Sequence, residues 1–320
     1  MPYPAISIVV PLYNEEQNIR LLHEAVSTAM KVSSIEYELI CVNDGSRDGT
    51  SDLLTELAAE DNTVKVINFR RNYGQTAAMM AGFDHSSYDV VVPMDGDLQN
   101  DPADISMLLD QLEKGFSVVS GWRKNRKDAA LKRNLPSRIA NWLISKISGV
   151  HLHDYGCTLK AYRKDVLEGV NLYGEMHRFV PIFASQQGGT VTEVVVHHNV
   201  RQFGESKYGM GRVLKVILDL MVVKFLTDFH SKPIYVFGGF GLFCMGLSIL
   251  SGVYALYLRF FEGTSFILTP LPLLVVMTFV VGILSIFLGL LAELLIRIYF
   301  EAQGKRAYYI RNVVNIDNSN

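Results

Sequence analysis

Two carboxylates separated by one residue follow a short apolar segment in Asp95-Gly96-Asp97-Leu98-Gln99. The preceding run from Asp89 to Met94 has the composition of a short buried strand. Side chains at positions i and i+2 of an extended chain point to one side, so Asp95 and Asp97 would lie together. Such like charges repel unless a cation or a donor lies between them, and their oxygens suit Mg²⁺ or Mn²⁺ with a phosphate-bearing ligand. Gly96 would leave room for a bulky group near the backbone.

The alternative interpretation is an acidic turn that merely ends a strand, since the pattern is short and common. The rest of the chain bears on this choice. Strands are predicted at 6–11, 37–42, 64–69, 89–94 and 192–196, and helices at 19–29, 48–59 and 75–83. Strands separated by helices are typical of a mostly parallel sheet, in which ligands bind beyond the carboxyl ends of the strands. Those ends carry polar, mostly acidic side chains, namely Tyr13, Glu15, Asp44, Asp95 and Asp97.

Composition and missing motifs exclude several classes of protein. The 320 residues carry a formal net charge of -2, which disfavours nucleic acid as a partner. Three scattered cysteines without a C-x-x-C pair argue against a disulfide framework or a zinc site. The chain has no G-x-G-x-x-G after the first strand and no P-loop motif, which disfavours a dinucleotide oxidoreductase and a P-loop ATPase. The N-terminus lacks the pattern of a cleavable signal peptide.

A basic segment follows Trp122 and leads into an amphipathic pattern. Its cations are Arg123, Lys124, Arg126, Lys127, Lys132, Arg133 and Arg138. Beside them the apolar residues Leu135, Ile139, Trp142, Leu143 and Ile147 recur at helical spacing. Such a helix either packs on the sheet with a solvated charged face or lies at a lipid headgroup boundary.

A second cationic segment, Arg201-Gln202-Phe203-Gly204-Glu205-Ser206-Lys207-Tyr208, follows the last predicted strand. Its glycine and flanking aromatic residues suit a flap over phosphate. The adjacent His197 and His198 invite a metal interpretation, but no third ligand is spaced to join them. We therefore interpret both histidines as polar residues at the end of a strand.

The C-terminal third of the chain has the pattern of a membrane hairpin. Gly209 to Phe229 is amphipathic, and the segments Ile234 to Leu258 and Leu271 to Ala292 carry no charge. About 20 apolar residues are enough to cross a bilayer as a helix, although a buried hairpin in a soluble core is the alternative. Lysines and arginines flank the pair of segments, whereas the connection between them has only Arg259. The positive-inside rule thus places both termini in the cytoplasm.

Together these motifs resemble a known family. The ordered set comprises Pro11-Leu12-Tyr13-Asn14-Glu15, Asn43-Asp44-Gly45-Ser46, Asn72-Tyr73-Gly74-Gln75, Asp95-Gly96-Asp97-Leu98-Gln99 and the segment 201–207. It is similar to inverting family 2 glycosyltransferases of the GT-A fold, and the two terminal spans resemble the polyisoprenyl-phosphate glycosyltransferases. The expected fold is an α/β GT-A domain (1–208), an amphipathic juxtamembrane helix (209–231), two transmembrane helices (232–300) and a cytoplasmic tail (301–320).

The resemblance implies a role for each matching residue. The nucleotide would be held by Pro11, Tyr13, Glu15, Val42, Asp44, Asp95 and Gln99. Asp95 and Asp97 would flank the Mg²⁺ or Mn²⁺ on the donor diphosphate. Phosphate and lipid phosphate would be bound by Arg126, Arg133, Ser137, Arg201 and Lys207. The implied catalytic set is Asp97, Asp154, Arg133 and Arg201, although a phosphate acceptor weakens the need for Asp154 as a base.

The implied reaction transfers one sugar from a nucleotide sugar to a membrane polyprenyl phosphate. Gln75 stands where mannose synthases tend to have a basic residue, which argues against GDP-mannose and favours a UDP-linked glucose or related hexose. The protein would be an enzyme of the bacterial inner membrane, in a possible homo-oligomer. The alternatives are a glycosyltransferase with another acceptor and an inactive nucleotide-sugar-binding partner of a lipid flippase.

Overall fold

The computed structural model describes residues 5–124, 141–142, 144–146, 148–168, 170, 172, 176–199, 234–301 and 310–315. The described residues belong to two compact units. The first lies within Met1–Val223 and Arg306–Asn320, and the second within Lys224–Lys305. The predicted juxtamembrane helix at 209–231 falls outside the described residues.

One sheet organises the first unit. Its strands are β1 (Ala5–Leu12), β2 (Glu36–Asn43), β3 (Val64–Phe69), β4 (Val90–Pro93), β5 (Val118–Trp122), β6 (Lys160–Arg163), β7 (Val191–Val195) and β8 (Ile310–Val314). In the described part of the chain their spatial order is β7-β5-β6-β4-β1-β2-β3-β8. β1 pairs in parallel with β2 and β4, β2 with β3, and β5 with β7. β6 runs antiparallel to both β4 and β5, and β8 runs antiparallel to β3.

Five α-helices in the described part of this unit cover the sheet. They are α1 (Ile19–Ser33), α2 (Thr50–Glu60), α3 (Gln75–Asp84), α4 (Ile105–Glu113) and α5 (Val180–Gln186). Of these, α1 and α4 are clearly amphipathic, whereas α3 is buried almost all round. In α1, Ile19, Leu22, Val26 and Met30 form one face and are buried. They pack in the same core cluster as the inward-facing residues of β1, including Ile6, Ile8 and Val10. These three residues of β1 share one face because successive side chains of a strand point to opposite faces of the sheet.

The predicted α/β architecture with a mostly parallel sheet is confirmed, but several elements were not predicted from the sequence. β5 contains only two consecutive aliphatic residues, and β6 carries Lys160 and Arg163. These compositions obscure the alternating pattern of a strand. β8 lies inside the segment that we expected to be a terminal tail, and it forms the last strand of the sheet next to β3.

The reversed direction of β6 decides which residues meet. The carboxyl ends of β1, β2, β4 and β5 lie at one edge of the sheet, because these strands run in the same direction. Since β6 is antiparallel to its neighbours, the residues that precede it reach this same edge. We call this edge, with the loops that leave it, the site edge.

The second unit is a pair of long apolar helices, α6 (Ile234–Phe261) and α7 (Leu271–Glu301). Within them Phe237–Phe261 and Leu271–Ala292 are long and apolar enough to cross a membrane, with mean hydropathies of 1.7 and 2.8. The helices approach closely at two glycines, where a Cβ on Gly241 would lie 2.7 Å from the carbonyl oxygen of Gly282. The Ser248 hydroxyl donates to the Val275 carbonyl of the other helix at 2.9 Å. Small residues and interhelical hydrogen bonds are typical of helix packing in membranes.

The glycine contact yields a test of the hairpin. We expect Gly241→Leu to lower the thermal midpoint of the protein in detergent, because the larger side chain must force α7 away. Overpacking of this kind typically costs about 1–3 kcal/mol. Gly246→Leu is the matched control on the same helix, since a Cβ there meets nothing within 4 Å. Equal midpoints for both variants, measured by circular dichroism, would contradict this packing.

Candidate active site

The loops that follow β1 and β2 hold each other by hydrogen bonds. The backbone amide of Asn14 donates to the Ser46 hydroxyl at 2.9 Å, and the Arg47 amide donates to the Asn14 side-chain oxygen at 2.9 Å. Asn14 adopts a positive φ of 51°, a conformation that asparagine tolerates better than most residues. The Glu15 amide donates to the Thr50 hydroxyl at 3.0 Å. Tyr13 and Glu15 are thereby fixed at the site edge, half-buried.

Asp44, at the end of β2, accepts hydrogen bonds from a third loop. Its carboxylate receives the backbone amides of Tyr73 at 2.6 Å and Gly74 at 2.9 Å. Burial raises the pKa of Asp44 to about 6, although the two amides act in the opposite direction. Gly45 follows with a φ of 66°, and a Cβ there would lie 2.4 Å from the Arg71 backbone. Asp44 thus ties the second loop to the start of α3.

The start of α3 leads directly to the paired carboxylates. The Gln75 side chain donates to Asp95 Oδ1 at 2.9 Å. The Asp95 amide donates to the Asn100 side chain at 3.1 Å, and the Gln99 amide donates to Asp97 Oδ1 at 3.1 Å. Leu98 between them has a φ of 62°, which closes the turn. The two carboxylates therefore lie together in a tight turn after β4, and not on the extended chain that the sequence analysis expected.

Neighbouring groups shift the pKa of Asp95 in opposite directions. Burial and then the neighbouring Asp97 carboxylate raise the pKa of Asp95, whereas the Thr158 hydroxyl and the charges of Arg123 and Lys160 oppose this effect. Asp97 is only 7% exposed. Two partly desolvated carboxylates of like charge create a demand for positive charge at this place.

Gly96 serves a different purpose from the one expected. A Cβ on Gly96 would lie 2.4 Å from Leu12 Cδ2 and 3.4 Å from Val10 Cγ1. Leu12 is buried in the core cluster. The missing side chain therefore makes room for the core of β1, and the expectation of space for a bulky ligand at Gly96 was wrong.

A buried ion pair lies beside the paired carboxylates. Arg123 follows β5 and donates to both carboxylate oxygens of Asp154, at 2.7 and 3.0 Å. Asp154 is 5% exposed. Although burial lowers the pKa of Arg123, the Asp154 carboxylate outweighs it and raises that pKa, so the guanidinium stays charged. A carboxylate held in a bidentate pair is a poor general base, so this geometry favours a role other than base for Asp154 of the implied catalytic set.

The segment between Asp154 and β6 completes the site edge. Its Thr158 hydroxyl lies close enough to Asp95 to lower the pKa of that carboxyl. Lys160, the first residue of β6, is 3% exposed and directs its ammonium group to the carbonyl oxygens of Tyr155 and Cys157. The ends of β4 and β5 and the start of β6 thus contribute a connected set of charged and polar groups.

The predicted residues divide into three groups. The structure brings Pro11, Tyr13, Glu15, Asp44, Asp95, Asp97, Gln99 and Asp154 to the site edge, at strand ends or in the loops that leave them. Val42 is fully buried in β2, so its side chain has no surface with which to contact a nucleotide and only its backbone could serve the predicted role. Arg126, Arg133, Ser137, Arg201 and Lys207 lie outside the described residues.

Sequence reasoning missed several residues of the site. Arg123 was read only as one cation of a basic segment, because β5 was not predicted and its end could not be located. Thr158 and Lys160 were missed because β6 was not predicted. Gln75 was noted for the identity of its side chain but not for its contact with Asp95.

The histidines at the end of β7 have structural partners. His197 contacts Asp104 twice, through its amide at 2.5 Å and through Nδ1 at 2.7 Å. His198 forms an isolated bridge with Asn100 in the loop after β4. Within the described residues no group of three or more His, Cys, Asp or Glu side chains is placed to hold a metal ion. The interpretation of these histidines as polar residues at a strand end therefore fits the structure.

Comparisons with known proteins place the chain in a family. Residues 7–170 match the model of glycosyl transferase family 2. Over 312 residues the chain is 39% identical to dodecaprenyl-phosphate galacturonate synthase of Rhizobium johnstonii, covering 96% of this chain and 92% of the relative. It is 38% identical over 318 residues to undecaprenyl-phosphate 4-deoxy-4-formamido-L-arabinose transferase of Pseudomonas fluorescens, covering 98% and 91%.

Solved structures agree on the fold. Glucosyl-3-phosphoglycerate synthase from Mycobacterium tuberculosis, in complex with Mn²⁺ and UDP-glucose, superposes with a TM-score of 0.53 at 17% identity. The match covers 69% of this chain and 79% of that one. At this identity the likeness concerns the fold, and it confirms the expected GT-A architecture. With the family model and the two full-length relatives, it follows that the chain belongs to glycosyl transferase family 2 and is a glycosyltransferase.

Proposed function

We propose that this enzyme transfers a single sugar from a nucleoside diphosphate sugar to a polyprenyl phosphate at the cytoplasmic face of a bacterial inner membrane. The observation that carries the proposal is the charge arrangement at the site edge. Asp95 and Asp97 lie beside the buried Arg123–Asp154 pair, in a chain that also has two membrane-length helices. The names of the full-length relatives, which describe transfer to dodecaprenyl or undecaprenyl phosphate, support this acceptor.

The donor set fits a divalent cation. Asp95 and Asp97 supply hard oxygen ligands, which Mg²⁺ and Mn²⁺ prefer, and their mutual repulsion favours occupancy. Because only these two carboxylates lie together in the loop, a bound cation would need further oxygens, which a donor diphosphate supplies. When bound, the cation would stabilise negative charge on the leaving nucleoside diphosphate.

The residues of the chain then have separate tasks. Tyr13, Glu15 and Asp44 lie at the carboxyl ends of β1 and β2, where a sheet of this kind binds a nucleotide. Arg123 holds Asp154 and keeps positive charge beside the carboxylate pair. The acceptor phosphate is anionic and needs no strong base, so one in-line displacement would invert the anomeric centre. This mechanism is consistent with an Asp154 engaged by Arg123.

The sugar and its nucleotide define the finer proposal. We favour a UDP-linked donor over GDP-mannose. Mannose synthases tend to have a basic residue at the position of Gln75, whereas here the uncharged Gln75 side chain donates to Asp95. The relatives are named for galacturonate and 4-deoxy-4-formamido-L-arabinose, so modified pyranoses take priority over the glucose that we first expected. A donor screen with UDP-galacturonate, the UDP-linked formamido-arabinose and UDP-glucose distinguishes these cases.

Transfer to lipid tests the main proposal. Purified membranes containing the enzyme, with Mg²⁺ or Mn²⁺ and undecaprenyl phosphate, should yield labelled lipid with one of the labelled UDP-sugars. Asp97→Asn should reduce this transfer by about a hundredfold or more, since loss of a transition-state electrostatic group has costs of that size. Asp110→Asn, at an exposed position of α4, is the matched control and should keep full activity. If no donor labels the lipid, the proposed function is wrong.

Trp142 supports the proposed contact with lipid headgroups. Its side chain is 61% exposed, and the Lys146 ammonium lies 5.1 Å from the centre of its ring. An exposed tryptophan beside a lysine is typical of a helix at a membrane interface. The adjacent Ile144 is buried, so one face of this segment packs inward while Trp142 faces outward.

We expect Trp142→Gln to raise the KM for undecaprenyl phosphate severalfold and to leave the KM for the nucleotide sugar unchanged, because only the lipid contact is weakened. Steady-state kinetics in vesicles measure both constants. Val32→Gln is the control, since Val32 is 81% exposed on α1 and lies outside this segment. Parallel changes in both KM values would assign Trp142 a general structural role instead.

Chain connectivity supports a cytoplasmic location for both ends of the hairpin. β7 precedes α6, β8 follows α7, and both strands belong to one sheet. A chain that leaves a sheet and returns to it must cross a membrane an even number of times. The two segments of membrane length satisfy this condition, and the positive-inside pattern supports a cytoplasmic sheet.

Cysteine labelling tests this topology. We expect a membrane-impermeant maleimide applied to spheroplasts to label Glu262→Cys, in the connection between the helices. Glu24→Cys, exposed on α1, should react only after the membrane is permeabilised. The native Cys41, Cys157 and Cys244 are buried, which keeps the background low. Labelling of Glu24→Cys in intact spheroplasts would reverse the proposed orientation.

A further inference from the structure

Lys160 is a buried lysine whose charge is held by main-chain groups. It opens β6 opposite Ser120 of β5 and is 3% exposed. Its ammonium donates to the carbonyl oxygen of Cys157 and, at 3.4 Å, to that of Tyr155. Burying an ammonium group is costly, and lysines are rarely found fully buried. A residue that only filled space here would be apolar, so the position requires another reason.

The carbonyls that Lys160 holds belong to the segment 154–158, which carries two groups of the site. At its start, Asp154 accepts both hydrogen bonds from Arg123 and one from the Gly156 amide at 3.1 Å. At its end, the Thr158 hydroxyl lies near Asp95 and lowers the pKa of that carboxyl. The two carbonyls lie between these ends. The conformation of the segment therefore sets the positions of Asp154 and Thr158 together.

We propose that Lys160 is a positioning residue of the transfer reaction, whose ammonium orders the segment 154–158 and thereby Asp154 and Thr158. At 3% exposure its side chain has almost no surface to offer a substrate, so its effect would be indirect. The inference rests on the proposed function, since the reaction that it supports is transfer to polyprenyl phosphate. The hydrogen bonds to the Cys157 and Tyr155 carbonyls and the burial of Lys160 carry it.

The protonation state of Lys160 makes its proposed role measurable as a pH dependence of activity. Burial lowers the pKa of Lys160 from its usual 10.5 to about 8. The charged and titratable groups that face it are Arg123 after β5, Asp154 and Cys157 in the segment, Arg178 before α5, and Asp95 after β4. As pH rises through about 8, the ammonium loses its charge and holds the two carbonyls less strongly. Activity that depends on this order should fall over the same range.

Stability should respond in the opposite direction. Because the folded pKa of Lys160 lies below its unfolded value, burial of the charged form costs stability at neutral pH. That cost is present in full below about pH 8 and is relieved as pH rises toward 10.5. A purely structural lysine would make activity and stability change together, whereas a positioning lysine separates them.

The experiment compares wild type with Lys160→Met in lipid-transfer and thermal-unfolding assays between neutral pH and about pH 9.5. At neutral pH we expect the variant to have a kcat lower by about tenfold or more, since small misplacements of catalytic groups have large effects. The KM for the nucleotide sugar should stay within about twofold, because nucleotide-binding residues lie on other loops. The kcat deficit should shrink toward unity above about pH 8.5, while wild type gains thermal stability relative to the variant.

Lys164→Met is the matched control. Lys164 also donates to a carbonyl, that of Ser86 at 2.7 Å, and it follows β6 at the opposite end from the site. The kcat of the Lys164→Met variant should equal that of wild type at every pH.

Several outcomes would overturn the inference. A Lys160→Met enzyme with wild-type kcat, or with a kcat deficit that is constant with pH, shows that the ammonium does not position the site. If Lys160→Met fails to fold, the wild-type enzyme alone tests the proposal. A wild-type thermal midpoint that falls together with activity above about pH 8 then contradicts it. Absence of lipid transfer by wild type with every donor overturns the proposed function itself, a result distinct from these.

Discussion

The need to compensate buried charge governs the arrangement of this active site. Asp95, Asp97 and Asp154 lie at one edge of the sheet with little access to solvent, and each would be costly there without positive charge nearby. Arg123 satisfies Asp154 through two hydrogen bonds and lowers the pKa of Asp95 through its charge. The carboxylate pair keeps an excess of negative charge, which suits it to hold a cation together with an anionic donor.

The sheet topology makes this compensation possible. Arg123 follows β5, whereas Asp154 and Thr158 precede β6. If β5 and β6 ran in the same direction, Arg123 would lie at the opposite edge of the sheet from Asp154 and Thr158. The antiparallel β6 brings its first residues back to the edge where β4 and β5 end. Along the same edge, contacts lead from Asp44 through the Gly74 amide and Gln75 to Asp95. The nucleotide end and the carboxylate pair are therefore connected through a few short loops.

Sequence reasoning was accurate where a local pattern carries the information. The parallel strands β1 to β4, the helices between them and the two apolar helices follow from periodicity. Asp95 and Asp97 do lie together, but a turn after β4 brings them there and not the extended geometry that we expected. Sequence reasoning failed where structure depends on distant partners. β6 contains Lys160 and Arg163 and is stabilised by β4 and β5, which no local pattern reveals. Arg123 could be recognised as a site residue only after its partner Asp154 was known, and the core packing that requires Gly96 depends on Leu12 of another strand.

The C-terminal strand β8 has a consequence for biosynthesis. A ribosome makes β3 early and β8 last, with both membrane-length helices translated in between. Until residues 310–314 emerge, β3 is an uncovered edge strand, and such edges are prone to pair with other chains. The Asn315 side chain, which donates to the carbonyls of Ala58 and Val64 at 2.7 and 3.0 Å, then secures the strand. The catalytic sheet is thus completed only after the hairpin has been synthesised, which links maturation of the enzyme to its delivery into the membrane.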